Sequence, residues 1–413
     1  MALLPEFSLD LDRAPPEPVL QTRQLAQAPP VARPKGNQLP LPWGDYFRRP
    51  LQVAAPETDT RIVRETAAAI ATRLYTHFST ISATPDGHLH LFSFYGQQHQ
   101  SGMESAIAYH SSSDRGAAWK AVNVLDGTGQ GIEWRIGASG VTSRGRIILT
   151  ALRMEIAAHY STLGSIHSDD GGRTWSEFAE LVQEPKSPYP PQGSQMGTFS
   201  QIKATPAGRL VMMGYIGPFN YALISDDEGG SWKRVTISTS RDPDYSEMAV
   251  QPVDENTWVA VTRVDRARTG MAQFVTHDSG ATWSLLGPLN IPVLAGYVAP
   301  SLNLVQADGR ATLVLGVTDR STGRSMLRTA DAVAAAASSQ VWSGPRVFAS
   351  DLHVRSGYQS AVADMACDRL VVSNHRETSE HDVTLEISMI PLAEVLPGHA
   401  ARAVNASACP LVR

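Results

Sequence analysis

Cysteine is nearly missing from this chain of 413 residues: only Cys367 and Cys409 occur, and no C-x-x-C pair exists. A zinc site of the usual thiolate kind is therefore excluded, and a single disulfide is the most that thiol chemistry offers. Charge is sparse too, at 18% Asp, Glu, Lys and Arg. The formal net charge of -5 carries no basic stripe, so a nucleic-acid partner is not expected. No apolar run is long enough for a membrane span. The opening "MALLPEFSLDLDRAPPEP" has neither a basic leader nor an apolar stretch of signal-peptide length. Export by the usual signal is not expected, which leaves a cytoplasmic protein or one released with a particle. No compact acidic loop calls for calcium, and no cofactor is expected. Long amphipathic helical patterns are few, whereas Gly, Ser and Thr are plentiful. With 42% hydrophobic residues, the composition suits an all-β protein rich in turns and able to bury a core.

What is present is a repeat. "SSSDRGAAW" ends at Trp119, "HSDDGGRTW" at Trp175, "ISDDEGGSW" at Trp232 and "THDSGATW" at Trp283. In each, Gly lies three residues before Trp, Asp five before, and Ser or Thr seven before. The tryptophans follow at intervals of 56, 57 and 51 residues, and Trp342, 59 further on, ends a degenerate fifth copy. A period near 55 signals a repeat architecture. Four copies cannot all be an active site. Asp accepting backbone N–H groups, Gly at a backbone angle other residues resist, and Trp folding back on a neighbouring unit give the motif a structural role. Asp114, Asp170, Asp227 and Asp278 are accordingly not expected to be catalytic.

A second repeat runs in step. Strand–turn–strand patterns recur at 78–94, 137–152, 199–215, 247–263, 301–317 and 358–374. A third strand precedes each tryptophan box and a fourth follows it. Four strands per unit and six units predict a six-bladed β-propeller over 59–395. The last unit lacks a fourth strand of its own, and "TRIVRE" (60–65) is expected to supply it from the other end of the chain, removing an open sheet edge. Residues 1–58 hold eleven of the 27 prolines by position 56 and read as a linker or as an extended arm. Trp43, Tyr46 and Phe47 favour an arm that grips another chain, in a homo-oligomer or larger assembly. Residues 396–413 form a C-terminal tail.

The motif S/T-x-D-x-G-x-S/T-W at blade spacing resembles the Asp box, or BNR repeat, of the sialidase (neuraminidase) superfamily, over about residues 60–395. The resemblance implies a six-bladed propeller and a retaining glycoside hydrolase acting on acidic sugars. Its expected parts are an arginine triad for the sugar carboxylate, a tyrosine nucleophile assisted by a glutamate, and an aspartate acid on a loop. A neutral phenol suits this chemistry because a carboxylate nucleophile would be repelled by the substrate's own carboxylate. Phenol ionises near pH 10, so it needs a neighbouring base. Glu247 and Arg263 stand at the start and end of one hairpin, 16 residues apart, and are similar to the family's glutamate–arginine pair. Tyr358 opens the last unit's inner strand like the nucleophile, and Glu377 is similar to the family's late glutamate. Arg324 and Arg328 are candidates for the third arginine, with Arg324 preferred. "GTGQGIEW" (127–134) resembles a glycine-rich loop of some members.

Two diagnostic positions depart from the pattern. His77 in "YTHFSTI" stands where the first arginine belongs, and Arg73 lies four residues too early. The loop "YGQQHQSGMES" (95–105) contains no Asp; His99 and Glu104 are its titratable residues. Glu104 is therefore the candidate acid. Two functions remain: an acidic-glycan hydrolase, or a propeller that kept the fold and lost the chemistry, such as a glycan-binding bacteriophage tail or fibre protein. Convergence of Glu247, Arg263 and Tyr358 favours the first. A Tyr358 packed under other side chains favours the second.

Overall fold

The computed structural model describes residues 59–63, 75–96, 103–158, 160–181, 187–188, 196–216, 219–240, 244–265, 270–291, 297–350, 352, 356–379, 382–402 and 409. The proline-rich segment with Trp43, Tyr46 and Phe47 lies outside them, as do Arg73 and His99. Strand β1 (Asp59–Val63) comes first. Blade one is β2 (Tyr75–Ala83), β3 (Leu89–Gly96), β4 (Ala106–Ser112) and β5 (Lys120–Asp126). Blade two is β6 (Ile132–Val141), β7 (Ile147–Glu155) and β8 (Tyr160–Ser168), edged by short β9 (Ala179–Glu180) and β10 (Ser187–Pro188). Blade three is β11 (Met196–Ala204), β12 (Leu210–Ile216), β13 (Phe219–Ser225) and β14 (Lys233–Ser238). Blade four is β15 (Tyr245–Pro252), β16 (Trp258–Val264), β17 (Met271–Thr276) and β18 (Ser284–Pro288). Blade five is β19 (Tyr297–Ala307), β20 (Arg310–Asp319), β21 (Arg324–Asp331), helix α1 (Ala332–Ala337) and β22 (Arg346–Ala349). Blade six is β23 (Gly357–Asp364), β24 (Arg369–Ser379) and β25 (Asp382–Pro391), followed by helix α2 (Leu392–Val395).

The inner strands close a ring. β2 touches β6, β6 touches β11, and the sequence continues through β15, β19 and β23 back to β2. β1 pairs antiparallel with β25, from Asp59 opposite Met389 to Val63 opposite Leu385, so the first described strand completes the last sheet as expected. Six apolar clusters fill the spaces between adjacent blades, one for each pair. This explains the sequence of the middle strands. β3 and β17 are buried at every position because both faces of their sheets are covered. The outer strands β5, β14 and β18 carry the exposed residues.

The tryptophan boxes are the turns between third and fourth strands. Asp170 Oδ1 accepts the backbone N–H groups of Arg173 and Thr174, and Oδ2 accepts the Thr174 hydroxyl at 2.6 Å. Ser168 donates to Asp170 and accepts Gly172 N. Asp227 and Asp278 repeat this pattern. These bonds hold the Asp278 carboxyl at about 2. The box Gly residues need their freedom: Gly172 has φ +87 and Gly229 φ +83, in the left-handed region. Each tryptophan packs on the preceding blade, Trp175 against Phe92 and Tyr109 of blade one, and Trp283 against Trp258 and blade three. In blade five α1 replaces the box turn. Trp342 still reaches back to blade four, its indole N–H donating to Gln273 Oε1 at 2.8 Å.

Cys367 and Cys409 form a disulfide with a Cα–Cα distance of 5.4 Å. Beside it His399 bridges two carboxylates, Nδ1 to Asp308 at 2.5 Å and Nε2 to Asp368 at 2.7 Å. Together they tie residues after α2 to the hairpin turns of blades five and six.

Candidate active site

All six inner strands carry a register shift at the same level, between His77 and Ser79, Ile136 and Ser139, Phe199 and Lys203, Tyr245 and Met248, Val298 and Ser301, and Gly357 and Ser360. A bulge bends its strand and re-aims side chains. Phe78, Ser200 and Tyr358 sit in three of these bulges with φ of 46, 64 and 55. Non-glycine residues rarely occupy that region, and the cost is of order 1–3 kcal/mol each. These bulges crowd side chains into one mouth of the channel.

There the structure brings together three residues singled out from the sequence. The Tyr358 hydroxyl donates to Glu247 Oε1 at 2.8 Å. Arg263 donates from a terminal nitrogen to Glu247 Oε2 at 3.0 Å, and Ala299 N donates to the same oxygen at 3.1 Å. Arg263 Nε meets Asp265 Oδ1 at 2.6 Å. Glu247 is 6% exposed and is the hub of the group. The 16-residue spacing works because β15 and β16 form one hairpin whose open end lies at the mouth.

Tyr358 is also enclosed, at 7% exposure. Phe78 meets its ring edge-to-face at 4.4 Å, Phe199 lies at 5.7 Å, and His375 stacks at 5.9 Å. The Arg320 guanidinium carbon stands 5.3 Å from the ring centroid, while Arg320 Nε donates to Ser356 O. Burial, then the Glu247 charge, pushes the phenol well above its ordinary value, against the opposing pull of Arg320 and Arg263. Burial works to lower the Arg263 pKa, but Glu247, Tyr358 and Asp265 together raise it.

The Glu104 carboxylate accepts Gly129 N at 2.9 Å and Gly131 N at 2.7 Å, so it clamps the glycine-rich turn. Arg324 opens β21 opposite Asp319, and the arginine over Tyr358 is Arg320, four residues earlier. Arg328 donates to Ser343 O at 2.7 Å and is 3% exposed. His77 lies in β2 opposite Phe94, and Glu377 in β24 opposite Val383; their side chains are outside the described residues.

Sequence reasoning missed two features. Arg320 follows Asp319, whose carboxylate accepts Ser321 N and the Thr322 hydroxyl. That Asp-led turn after β20 was the available signal. The second is Arg135, bonded through Nε to Glu133 at 2.8 Å with both residues buried. "WRIG" puts arginine before isoleucine just ahead of the blade-two bulge, whereas blade one has no arginine at the matching place. Burial raises the Tyr215 phenol above its ordinary value, with Glu247 and Asp265 adding to the rise and Arg263 and Arg135 opposing it.

The fold and boxes define an Asp-box propeller. Residues 142–366 match the model of the BNR repeat-like domain, and the chain belongs to that family. A curated sialidase from Clostridium perfringens is 22% identical over 190 residues, covering 38% of this chain and 45% of that protein. The chain thus spans less than half of that relative's length. Among solved structures, a single-substitution mutant of the NanB sialidase of Streptococcus pneumoniae superposes with a TM-score of 0.66 at 13% identity, over 85% of this chain and 73% of that one. The intramolecular trans-sialidase of Ruminococcus gnavus gives 0.61 at 13% identity, over 78% and 95%. An α-L-arabinofuranosidase of Fusarium graminearum gives 0.58 at 13%, over 78% and 94%. At such identities the likeness concerns the fold, and the last case carries it onto another sugar. Among the described residues no helix is long and apolar enough to cross a membrane.

Proposed function

We propose that this protein is a sialidase-like glycoside hydrolase acting on acidic sugars of glycans, with Tyr358 as nucleophile and Glu247 as its base. The observation that supports this most directly is the hydrogen bond from Tyr358 to Glu247, with Arg263 and Ala299 N on the other carboxylate oxygen. A phenol whose pKa is raised by burial stays protonated at rest. Attack on the anomeric carbon passes that proton to Glu247 as the new C–O bond forms and the glycosidic bond breaks. Arg263 and Ala299 N hold the other Glu247 oxygen in place. Arg263 and Arg320 supply fixed positive charge beside the reacting oxygen, suited to a substrate carboxylate. The rings of Phe78, Phe199 and His375 exclude water from the phenol.

Glu104 holds two backbone N–H groups and serves this reading better as a loop clamp than as an acid. The leaving oxygen then takes its proton from solvent, which favours aryl leaving groups that depart as phenolates. The test is release of fluorophore from an aryl sialoside, with Tyr358→Phe and Glu247→Gln as controls. Turnover lost in both variants supports the assignment. No release from a panel of acidic aryl glycosides removes it.

A further inference from the structure

The guanidinium of Arg263 meets two carboxylates, and the chemistry assigned to Tyr358 uses only one of them. Glu247 Oε2 accepts from a terminal nitrogen at 3.0 Å, and Asp265 Oδ1 lies 2.6 Å from Nε. Arg263 is the last residue but one of β16, and Asp265 follows the strand's end. Alternation along a strand puts residues i and i+2 on one face, while Val264 between them joins the apolar cluster of blades three and four. The Asp265 backbone is fixed as well. Its N–H donates to Asp244 O at 2.9 Å, which carries the pairing of β15 with β16 one step further at the open end of the hairpin.

The two partners of Arg263 differ in place. The Glu247 side chain is 8% exposed and that of Asp265 35%, with Arg263 between them at 28%. Glu247 thus holds the guanidinium from inside the mouth, and Asp265 holds it from the solvent side. One such bond leaves a long side chain free to turn about it, whereas two bonds on different nitrogens fix its plane. A guanidinium carries five N–H groups in a rigid fork, so donors remain for a ligand.

The partners differ again in what the reaction asks of them. Attack by Tyr358 delivers the phenol proton to Glu247. A neutral acid is a weaker acceptor than a carboxylate, so Glu247 loosens its hold on Arg263 as the bond to the sugar forms. Asp265 receives nothing in that transfer, and its bond to Nε persists. We infer that Asp265 is a positioning residue, which keeps Arg263 aimed at the substrate carboxylate while Glu247 carries the phenol proton. This role rests on the hydrolase reading above. Asp265 acts through Arg263 and forms no bond in the reaction.

The test compares the resting site with the reacting one in the full chain. Kinetics on an aryl sialoside and titration with free sialic acid are measured for wild type, Asp265→Asn, Glu247→Gln and the double variant. In Asp265→Asn, KM and the Kd of sialic acid should stay within about two-fold of wild type while kcat falls about ten-fold, the effect of one lost charge-assisted hydrogen bond. In Glu247→Gln, Asp265 is the remaining carboxylate on Arg263, so adding Asp265→Asn should weaken sialic-acid binding about ten-fold. A side chain that only supports the fold would shift Kd equally in both backgrounds, and that result overturns the proposal. An unchanged kcat in Asp265→Asn overturns it too, and leaves the hydrolase reading standing. A wild type that neither binds nor turns over removes the hydrolase reading and this role with it. If wild type binds without turnover, the Kd comparison alone decides.

Discussion

Tyr358 and Glu247 are 111 residues apart in the chain and 2.8 Å apart at the channel mouth. They meet because β23 and β15 are both inner strands and both bulge at the same height. The bulge at Tyr358 forces φ to 55 and aims the hydroxyl at the carboxylate.

If this pair does the chemistry, its two halves fail differently. Glu247→Gln should lower kcat by about 10²- to 10⁴-fold, the usual range for loss of a general base. Tyr358→Phe should remove turnover while leaving glycan binding, since Arg263 and Arg320 remain. Steady-state kinetics on an aryl sialoside and direct binding of the free sugar separate the two effects. Equal loss of binding and turnover in Tyr358→Phe would point to a collapsed mouth.

Glu104 offers a sharper choice between two roles. Its carboxylate holds Gly129 and Gly131, so Glu104→Gln should loosen residues 126–131 and leave the shape of the pH–rate profile intact. Disappearance of the alkaline limb of that profile in the variant would instead identify Glu104 as the proton donor.

The box tryptophans are expected to hold blades together. Trp232 is 2% exposed and packs with Ile148, Met212 and Leu223 between blades two and three. Trp232→Ala should cost about 3–5 kcal/mol, the range for deleting a buried aromatic. Denaturant titration checks this, and a loss under about 1 kcal/mol would contradict the packing role.

Blade one should be acid-labile. His90 and His110 are buried, and burial depresses each to about 4. An unfolded histidine titrates near 6.5, so the unfolded chain binds more protons between those values. Stability is therefore present above about pH 6.5 and falls as pH drops toward 4, by about 3 kcal/mol per histidine at the limit. Thermal melting across that window reads the slope, and His110→Gln should flatten it. A melting temperature independent of pH there would be the contrary result.

His399 works with the opposite sign. Hydrogen bonds donated to Asp368 and Asp308 raise its pKa, and Arg402 also faces Asp308. Its contribution is complete below about 6.5 and disappears as pH rises through the raised value. Limited proteolysis with the disulfide reduced should release residues after Leu396 faster at alkaline pH. Cleavage that ignores pH would show that Cys367–Cys409 alone holds the tail.

The architecture was legible because repetition multiplies the signal. Four Asp boxes, six hairpins and the unpaired last unit each implied the same ring, and "TRIVRE" as its closing strand follows from sheet edges alone. The site was less legible for a physical reason. Glu247, Arg263 and Tyr358 could be chosen because they open or end inner hairpins. Arg320 could not, because a turn led by Asp319 sets its direction, and Arg324 on the neighbouring strand looked equally placed. Glu104 carries the right group for an acid, yet the backbone donors that claim it belong to a glycine-rich loop whose path no spacing rule gives. In blade five the helix after Asp331 replaces a box turn, since "AVAAAA" is helical by composition and keeps no Asp or Gly at the needed offsets.

The union of β1 with β25 also sets an order of events during synthesis. The first propeller strand leaves the ribosome more than 300 residues ahead of its mate, so the circle cannot shut until the last blade has been made. Until then blade six lacks its outer edge, and the nascent ring is open to pairing with other chains. Removing β1 should therefore trade a closed ring for aggregation, however sound the remaining blades are.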